Sequence, residues 1–171
     1  LAAVACGIIC GMSLKEISFA LEKYKLPANR TNILSGIRNT IIINDVYNAN
    51  PESTVAALDT LKDISCELGK KARNLFVFGD MLELGVDSKA LHLGLANKIR
   101  KTSDVVVLVG NRVHDIYNEI IRYYKEGNIF WFENSQIASE KIREIVNNGD
   151  IILVKGSRGM KMEKIVENLK L

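Results

Sequence analysis

Three short stretches carry side chains able to do chemistry. NDVYNANPEST, residues 44–54, puts Asp45, Asn48 and Asn50 into the turn after an apolar run. A carboxylate such as Asp45 accepts hydrogen bonds from ribose hydroxyls, and amide side chains offer paired donors and acceptors to a base or a peptide. Part of this has a plain structural reading: Asn50 before Pro51 fits a helix N-cap with proline at the first helical position, and Asn48 could hold the turn. Capping explains Asn50 but neither Asp45 nor Asn48. VFGDMLELG, residues 77–85, carries Asp80 and Glu83 after a second apolar run. Carboxylates three apart suit acid–base work or cation binding; the bland alternative is a loop with exposed acids and Gly79 for close backbone approach. With no matching histidine or third carboxylate, no metal site is expected. VKGSRGMKME, residues 154–163, sets Lys155, Ser157 and Arg158 among glycines. A guanidinium pairs bidentately with carboxylate or phosphate, although such a run also suits a basic surface turn. The spacing is not G-x-x-x-x-G-K-[ST], so it is no P-loop.

The elements that must position these residues follow from hydrophobic rhythm. An apolar helix over residues 1–10 stops at Gly11, and Ser13 caps a second helix with Glu16 in capping-box position. In that helix Leu14, Ile17, Leu21 and Tyr24 share a face. Pro27 ends it, and PANRTN reads as a linker. Strand-like runs then alternate with amphipathic helices: TNILSG, NTIIIND, NLFVFGD, DVVVLVG, NIFWFEN and DIILVKG, with helices expected near 51–68, 87–101, 112–126, 135–147 and 160–169. LFVF, VVVLV and IILV are continuously apolar, as in strands covered on both faces. The expected fold is therefore α/β: a Rossmann-like three-layer sandwich of about six strands, mostly parallel. The first two strands, joined by GIRN, form a hairpin that adds one antiparallel edge strand, and two helices precede the sheet. In open α/β sheets ligands bind beyond the carboxyl ends of the strands, and there these strands turn polar or glycine-rich.

Bulk properties narrow the function. A net charge of +3 on 171 residues, evenly spread, argues against nucleic acid or a membrane surface. The opening apolar run is about a dozen residues, short of the roughly 20 needed to span a bilayer, and lacks a charged leader. It reads as a helix from inside a longer chain. Cys6, Cys10 and Cys66 lack zinc-site spacing and are expected as buried thiols in a reducing cytosol. His92 and His114, far apart on expected helices, read as structural or exposed. No G-x-G-x-x-G, G-x-S-x-G, H-E-x-x-H or C-x-x-C occurs.

Taken in order, NDVYNANPEST…ALDTL, FGDMLELG…H and LVKGSRGMKME resemble the C-terminal domain of the Mur ligase family, in the wording of its D-alanyl-D-alanine-adding members. The resemblance runs from about residue 28 to the end. It implies residues 1–27 as the helical tail of a central ATPase domain and 28–171 as the C-terminal domain. It also implies ATP-driven peptide-bond formation between UDP-N-acetylmuramoyl-tripeptide and D-alanyl-D-alanine through an acyl phosphate, with ATP and Mg²⁺ held mostly by the central domain. A monomeric protein of the bacterial cytoplasm is implied, with no nucleic acid or membrane partner. Residue by residue, Arg30 stands for the catalytic linker arginine near the ATP phosphates. Asp45, Asn48 and Asn50 stand for nucleotide-contacting residues. Asp80, Lys155, Ser157 and Arg158 stand for the substrate-facing rim, and Arg112 for a partner of the dipeptide carboxylate. Val46 replaces a usual small polar residue, and PAN stands before Arg30 where glycine is common. The chain carries no GKT loop, so alone it is expected to be inactive. Two alternatives stand beside this: a non-catalytic nucleotide-binding module, and a folylpolyglutamate- or cyanophycin-type ligase domain.

Overall fold

A computed structural model describes residues 2–24, 32–68 and 72–171. The linker expected at PANRTN, and Arg30 within it, lies outside the described residues. Among the described residues, six strands form one sheet in the order β1-β2-β6-β3-β4-β5. They are β1 (Asn32–Gly36), β2 (Thr40–Asp45), β3 (Asn74–Gly79), β4 (Val105–Val109), β5 (Ile129–Phe132) and β6 (Ile151–Lys155). The β1–β2 pair is antiparallel and the rest are parallel. Arg38 and Asn39 turn the β1–β2 hairpin, both in the left-handed region at φ 55°. Arg38 holds that strained turn by donating to the carbonyls of Arg143 and Val146.

The helices are α1 (Ala2–Ile9), α2 (Leu14–Glu22), α3 (Pro51–Glu67), α4 (Ser88–Leu93), α5 (Ala96–Thr102), α6 (His114–Ile120), α7 (Ser135–Ile145) and α8 (Glu163–Leu169). The period-two alternation of strand side chains sorts them into two cores. Ile43, Phe76, Phe78, Leu108 and Leu153 meet Leu58, Leu61, Ile99 and Ile116 of α3, α5 and α6 on one face. Ile42, Val77, Val107, Ile152 and Val154 meet Ile142, Ile165 and Val166 of α7 and α8 on the other. Every residue of β4 and β6 is buried. The expected three layers are observed, and each buried Val, Leu, Ile or Phe side chain contributes about 1.5–3 kcal/mol of transfer free energy.

Three expectations are corrected. The helix placed over 87–101 is split into α4 and α5 at Gly94 and Leu95. There Leu95 N–H bonds back only three residues, to His92 at 3.0 Å, which tightens the turn beside a poor helix former. The helix over 112–126 shortens to α6, because its last turn winds as a 3₁₀ segment over Ile121–Tyr123. All three cysteines are exposed rather than buried. On α2 the Ser13–Glu16 capping box forms as expected. Of its apolar face, however, only Ile17 is buried; a Cβ on Gly7 of α1 would come within 2.8 Å of it. Leu14, Leu21 and Tyr24 are exposed.

Candidate functional site

The carboxyl ends of β2, β3, β4 and β6 converge on one rim. At the end of β2, Asp45 faces Lys155 at the end of β6, because those strands run in register with Asp45 opposite Lys155. Lys155 Nζ donates to Asp45 Oδ2 at 2.5 Å and to the Asn48 carbonyl at 3.0 Å. The lysine side chain is 2% exposed and the aspartate 17%, so the ammonium is sealed while the carboxylate stands on the wall of a hollow. Lys155, expected to reach substrate as a cation, is instead committed to Asp45 and to the turn that follows it. Asn50 caps α3 in a capping box with Ser53. Asn48 Oδ1 accepts the Ala49 N–H at 2.9 Å. The structural reading of these asparagines therefore holds, yet both line an open hollow.

That hollow has a volume of about 380 Å³ and lies between the β2 turn and the first turns of α3, with Asp45, Tyr47, Asn48, Asn50, Ser53 and Lys155 on its wall. A second hollow of about 190 Å³ adjoins it through Tyr47 and Asn48, and is completed by Leu82, Glu83, Ser157, Arg158 and Gly159. All three sequence stretches meet at this smaller hollow.

Its floor is a hydrogen-bond network. The Asp80 carboxylate, 6% exposed, accepts the N–H groups of Arg112 and Val113 at 3.0 and 2.9 Å. The Asp80 carbonyl accepts Ser157 N–H at 3.1 Å, and Ser157 Oγ accepts Leu82 N–H at 2.8 Å. Asp80, expected to face substrate, thus ties the ends of β3, β4 and β6 together beneath it. It lines neither hollow. Gly110, at φ 113°, allows this: a Cβ there would sit 2.6 Å from the Asp80 carboxylate. Arg112 is also not at the hollows; its guanidinium donates to Ser88 Oγ at 3.3 Å. Ser157 is buried and serves the network, while Arg158 is exposed and reaches over the Tyr47 ring at 5.8 Å. Arg30 lies outside the described residues.

Three further residues contribute: His92, read from sequence as structural or exposed, Glu83, weighed there as an acid–base candidate or an exposed acid, and Tyr47, which the sequence reading did not single out. His92 is fully buried. Its Nε2 accepts Met81 N–H at 3.0 Å, and its Nδ1 lies 2.7 Å from the Ser88 carbonyl, which fixes the neutral tautomer with the proton on Nδ1. The signal was available: Ser88 and His92 are one helical turn apart, with the histidine following a polar loop. Glu83 adopts φ 63°, a conformation costly for a non-glycine residue, of a kind that clusters at binding sites. Tyr47 separates the two hollows, and nothing in its type or spacing announced that.

The residues fit a nucleotide in part. The larger wall offers a carboxylate edge, amides, a hydroxyl and an aromatic ring, which suit a ribose and a base. Among the described residues its one cation, Lys155, is spent on Asp45, so these residues alone do not suit a triphosphate. Among the described residues, no group of three or more His, Cys, Asp or Glu could hold a metal ion. They do not supply the ligands of a magnesium site.

Residues 29–158 match the family model described as "Mur ligase, glutamate ligase domain". The chain belongs to this family. It is 30% identical over 170 residues to the UDP-N-acetylmuramoyl-tripeptide–D-alanyl-D-alanine ligase of Bacillus subtilis (strain 168), covering 99% of this chain and 36% of that protein. Among solved structures it resembles MurF from Acinetobacter baumannii, with a TM-score of 0.79 and 27% identity over 98% of this chain and 35% of that one. It also shares its fold with the MurF ligase from Thermotoga maritima solved in complex with ADP, at a TM-score of 0.74 and 23% identity over 96% of this chain and 35% of that one. The chain spans about a third of the length of the curated relatives it matches. Among the described residues, no helix is long and apolar enough to cross a membrane.

Proposed function

We propose that residues 28–171 are the C-terminal domain, and residues 1–27 the tail of the central domain, of an ATP-dependent ligase that joins D-alanyl-D-alanine to UDP-N-acetylmuramoyl-tripeptide. It would act as a monomer in the bacterial cytoplasm, in peptidoglycan precursor synthesis. The observation that carries the reading is the rim itself: three separate strand ends build two adjoining hollows in a chain of Mur ligase family membership. ATP would supply the phosphoryl group that activates the tripeptide carboxylate as an acyl phosphate, which the dipeptide amine attacks with loss of phosphate.

The chain's own residues position rather than react. Asp45, held by Lys155 on the wall of the larger hollow, serves the ribose, with Tyr47, Asn48 and Asn50 around the nucleoside. Arg30 neutralises phosphate charge as the chain leaves the preceding domain. Arg158, on a loop braced by Ser157 and Asp80, serves the incoming amine substrate. Fixed donors and charges of this kind lower barriers by orientation and electrostatic stabilisation. Magnesium and the triphosphate fall to residues beyond these 171, which contain no P-loop.

The test supplies ATP, Mg²⁺, the UDP-linked tripeptide and D-alanyl-D-alanine to the full gene product and to the 171-residue chain, and measures phosphate release. The full product should release phosphate only when the dipeptide is present, and the chain alone should release none. Release driven by glutamate in place of the dipeptide would move the protein to a folylpolyglutamate-type reaction. Robust turnover by the chain alone would overturn the division of labour.

A further inference from the structure

Two opposite charges line the smaller hollow without pairing with each other. Glu83 and Arg158 both stand on its wall and are exposed, and among the described residues neither takes part in an ion pair within 4.0 Å. The alternative of a purely structural salt bridge is therefore absent. At about 190 Å³ the hollow is smaller than the roughly 300–1,000 Å³ of sites for drug-sized ligands. A carboxylate beside it also repels phosphate. A small ligand carrying an ammonium and a carboxylate satisfies both walls at once.

The backbone leading to each charged residue is held in place. Glu83 follows Leu82, whose N–H is fixed on Ser157 Oγ, and Met81, whose N–H is fixed on His92. Its backbone is left-handed at φ 63°, and the residue lines the smaller hollow. Arg158 follows Ser157, whose own N–H is fixed on the Asp80 carbonyl. Gly159 leaves the space for this, since a Cβ there would meet Leu82 Cδ1 at 2.7 Å.

We propose that the smaller hollow is a receptor for a short zwitterion, in which Glu83 takes the ammonium end and Arg158 the carboxylate end of the incoming amine substrate. This rests on the ligase reading above, deepens it by making Glu83 a specificity-determining residue, and moves carboxylate recognition from Arg112 to Arg158. Charge-assisted hydrogen bonds of this kind favour one polarity of ligand, and orient the amine before it attacks.

The experiment is steady-state kinetics on the full gene product, with D-alanyl-D-alanine, with D-alanyl-D-alaninamide as a substrate lacking the carboxylate, and with propionyl-D-alanine as an inhibitor lacking the ammonium. Arg158→Met should raise KM for the dipeptide at least tenfold and leave KM for the amide within about twofold. Glu83→Gln should raise KM for the dipeptide about tenfold, without further weakening inhibition by propionyl-D-alanine. KM for ATP and for the tripeptide should stay constant in both variants. On the unmodified protein both analogues should bind at least tenfold more weakly than the dipeptide, a readout independent of how the variants fold. An Arg158→Met penalty equal for dipeptide and amide overturns the proposal, as does a Glu83→Gln variant with unchanged KM for the dipeptide. If the full product ignores the dipeptide, the ligase reading fails instead. The same variants, tried on the amino acid it does use and on that acid's amide, then decide the zwitterion receptor separately.

Discussion

Strand β6 carries a buried ion pair at each end, and the two are mirror images. At its start, Asp150 is 2% exposed and Arg73 26%. The guanidinium grips both carboxylate oxygens, at 3.1 and 2.8 Å, and also donates to the Ile145 carbonyl. At its end, Lys155 is the sealed partner and Asp45 the more accessible one. The base pair buries its acid under an arginine lid and closes the loops beneath the sheet. The rim pair buries its base and turns a carboxylate edge towards a hollow. The same strand thus uses one interaction twice: to lock the fold at one end, and to present a fixed negative group at the other.

The mirror relation is broken most sharply by removing the partner that compensates a sealed charge. Asp45→Ala leaves the Lys155 ammonium buried without its counter-ion and should cost about 3–5 kcal/mol, whereas Lys155→Met leaves an aspartate that water can reach and should cost about 1–2 kcal/mol. At the base the order reverses: Arg73→Met should cost about 3 kcal/mol, and more than Asp150→Asn. Urea unfolding of the four variants checks both rankings. Equal costs within either pair would mean that burial does not distinguish the partners.

A smaller effect sharpens the base half alone. Tyr124, whose hydroxyl donates to the Ser103 carbonyl near the start of β4, has its pKa pushed up to about 12 from 10.0, by burial first and by the negative Asp104 second, with Arg100 opposing. Because the folded state holds this proton more tightly, its contribution is whole below pH 10 and is lost as pH rises towards 12. Tyr124→Phe should remove a decline on the order of 1 kcal/mol across that window, the open side of the ring being screened by solvent. Unfolding midpoints measured at pH 9 and above would show it; a decline of the same size in the variant would assign it to another group.

The sheet was legible because its signal is local. Continuous apolar runs in β3, β4 and β6, and polar residues at each strand end, fixed both the layers and the rim. GIRN announced the hairpin, and Ser13 with Glu16 announced the start of α2. Partner choice across the rim was not legible, because it depends on register between strands far apart in sequence. Lys155 and Arg158 look alike as basic residues of one loop. Only the alignment of β2 with β6 sends the first inward to Asp45 and leaves the second outside. That Asp80 and Arg112 line neither hollow was not legible for a similar reason. A short aspartate at a strand end can cap the next strand's turn as readily as it can face solvent, and Gly110 is what decides it. The cysteines failed because their apolar surroundings in sequence are exposed on α1 and at the end of α3.

The central claim is that Asp45 and the larger hollow belong to a nucleotide site while the smaller hollow takes the amine substrate. The direct measurement is calorimetric titration of ADP into the full gene product and into its Asp45→Asn variant, with far-ultraviolet circular dichroism confirming that both are folded. The account predicts at least tenfold weaker ADP binding in the variant, with KM for D-alanyl-D-alanine unchanged. Undiminished ADP affinity in a folded Asp45→Asn protein would contradict it.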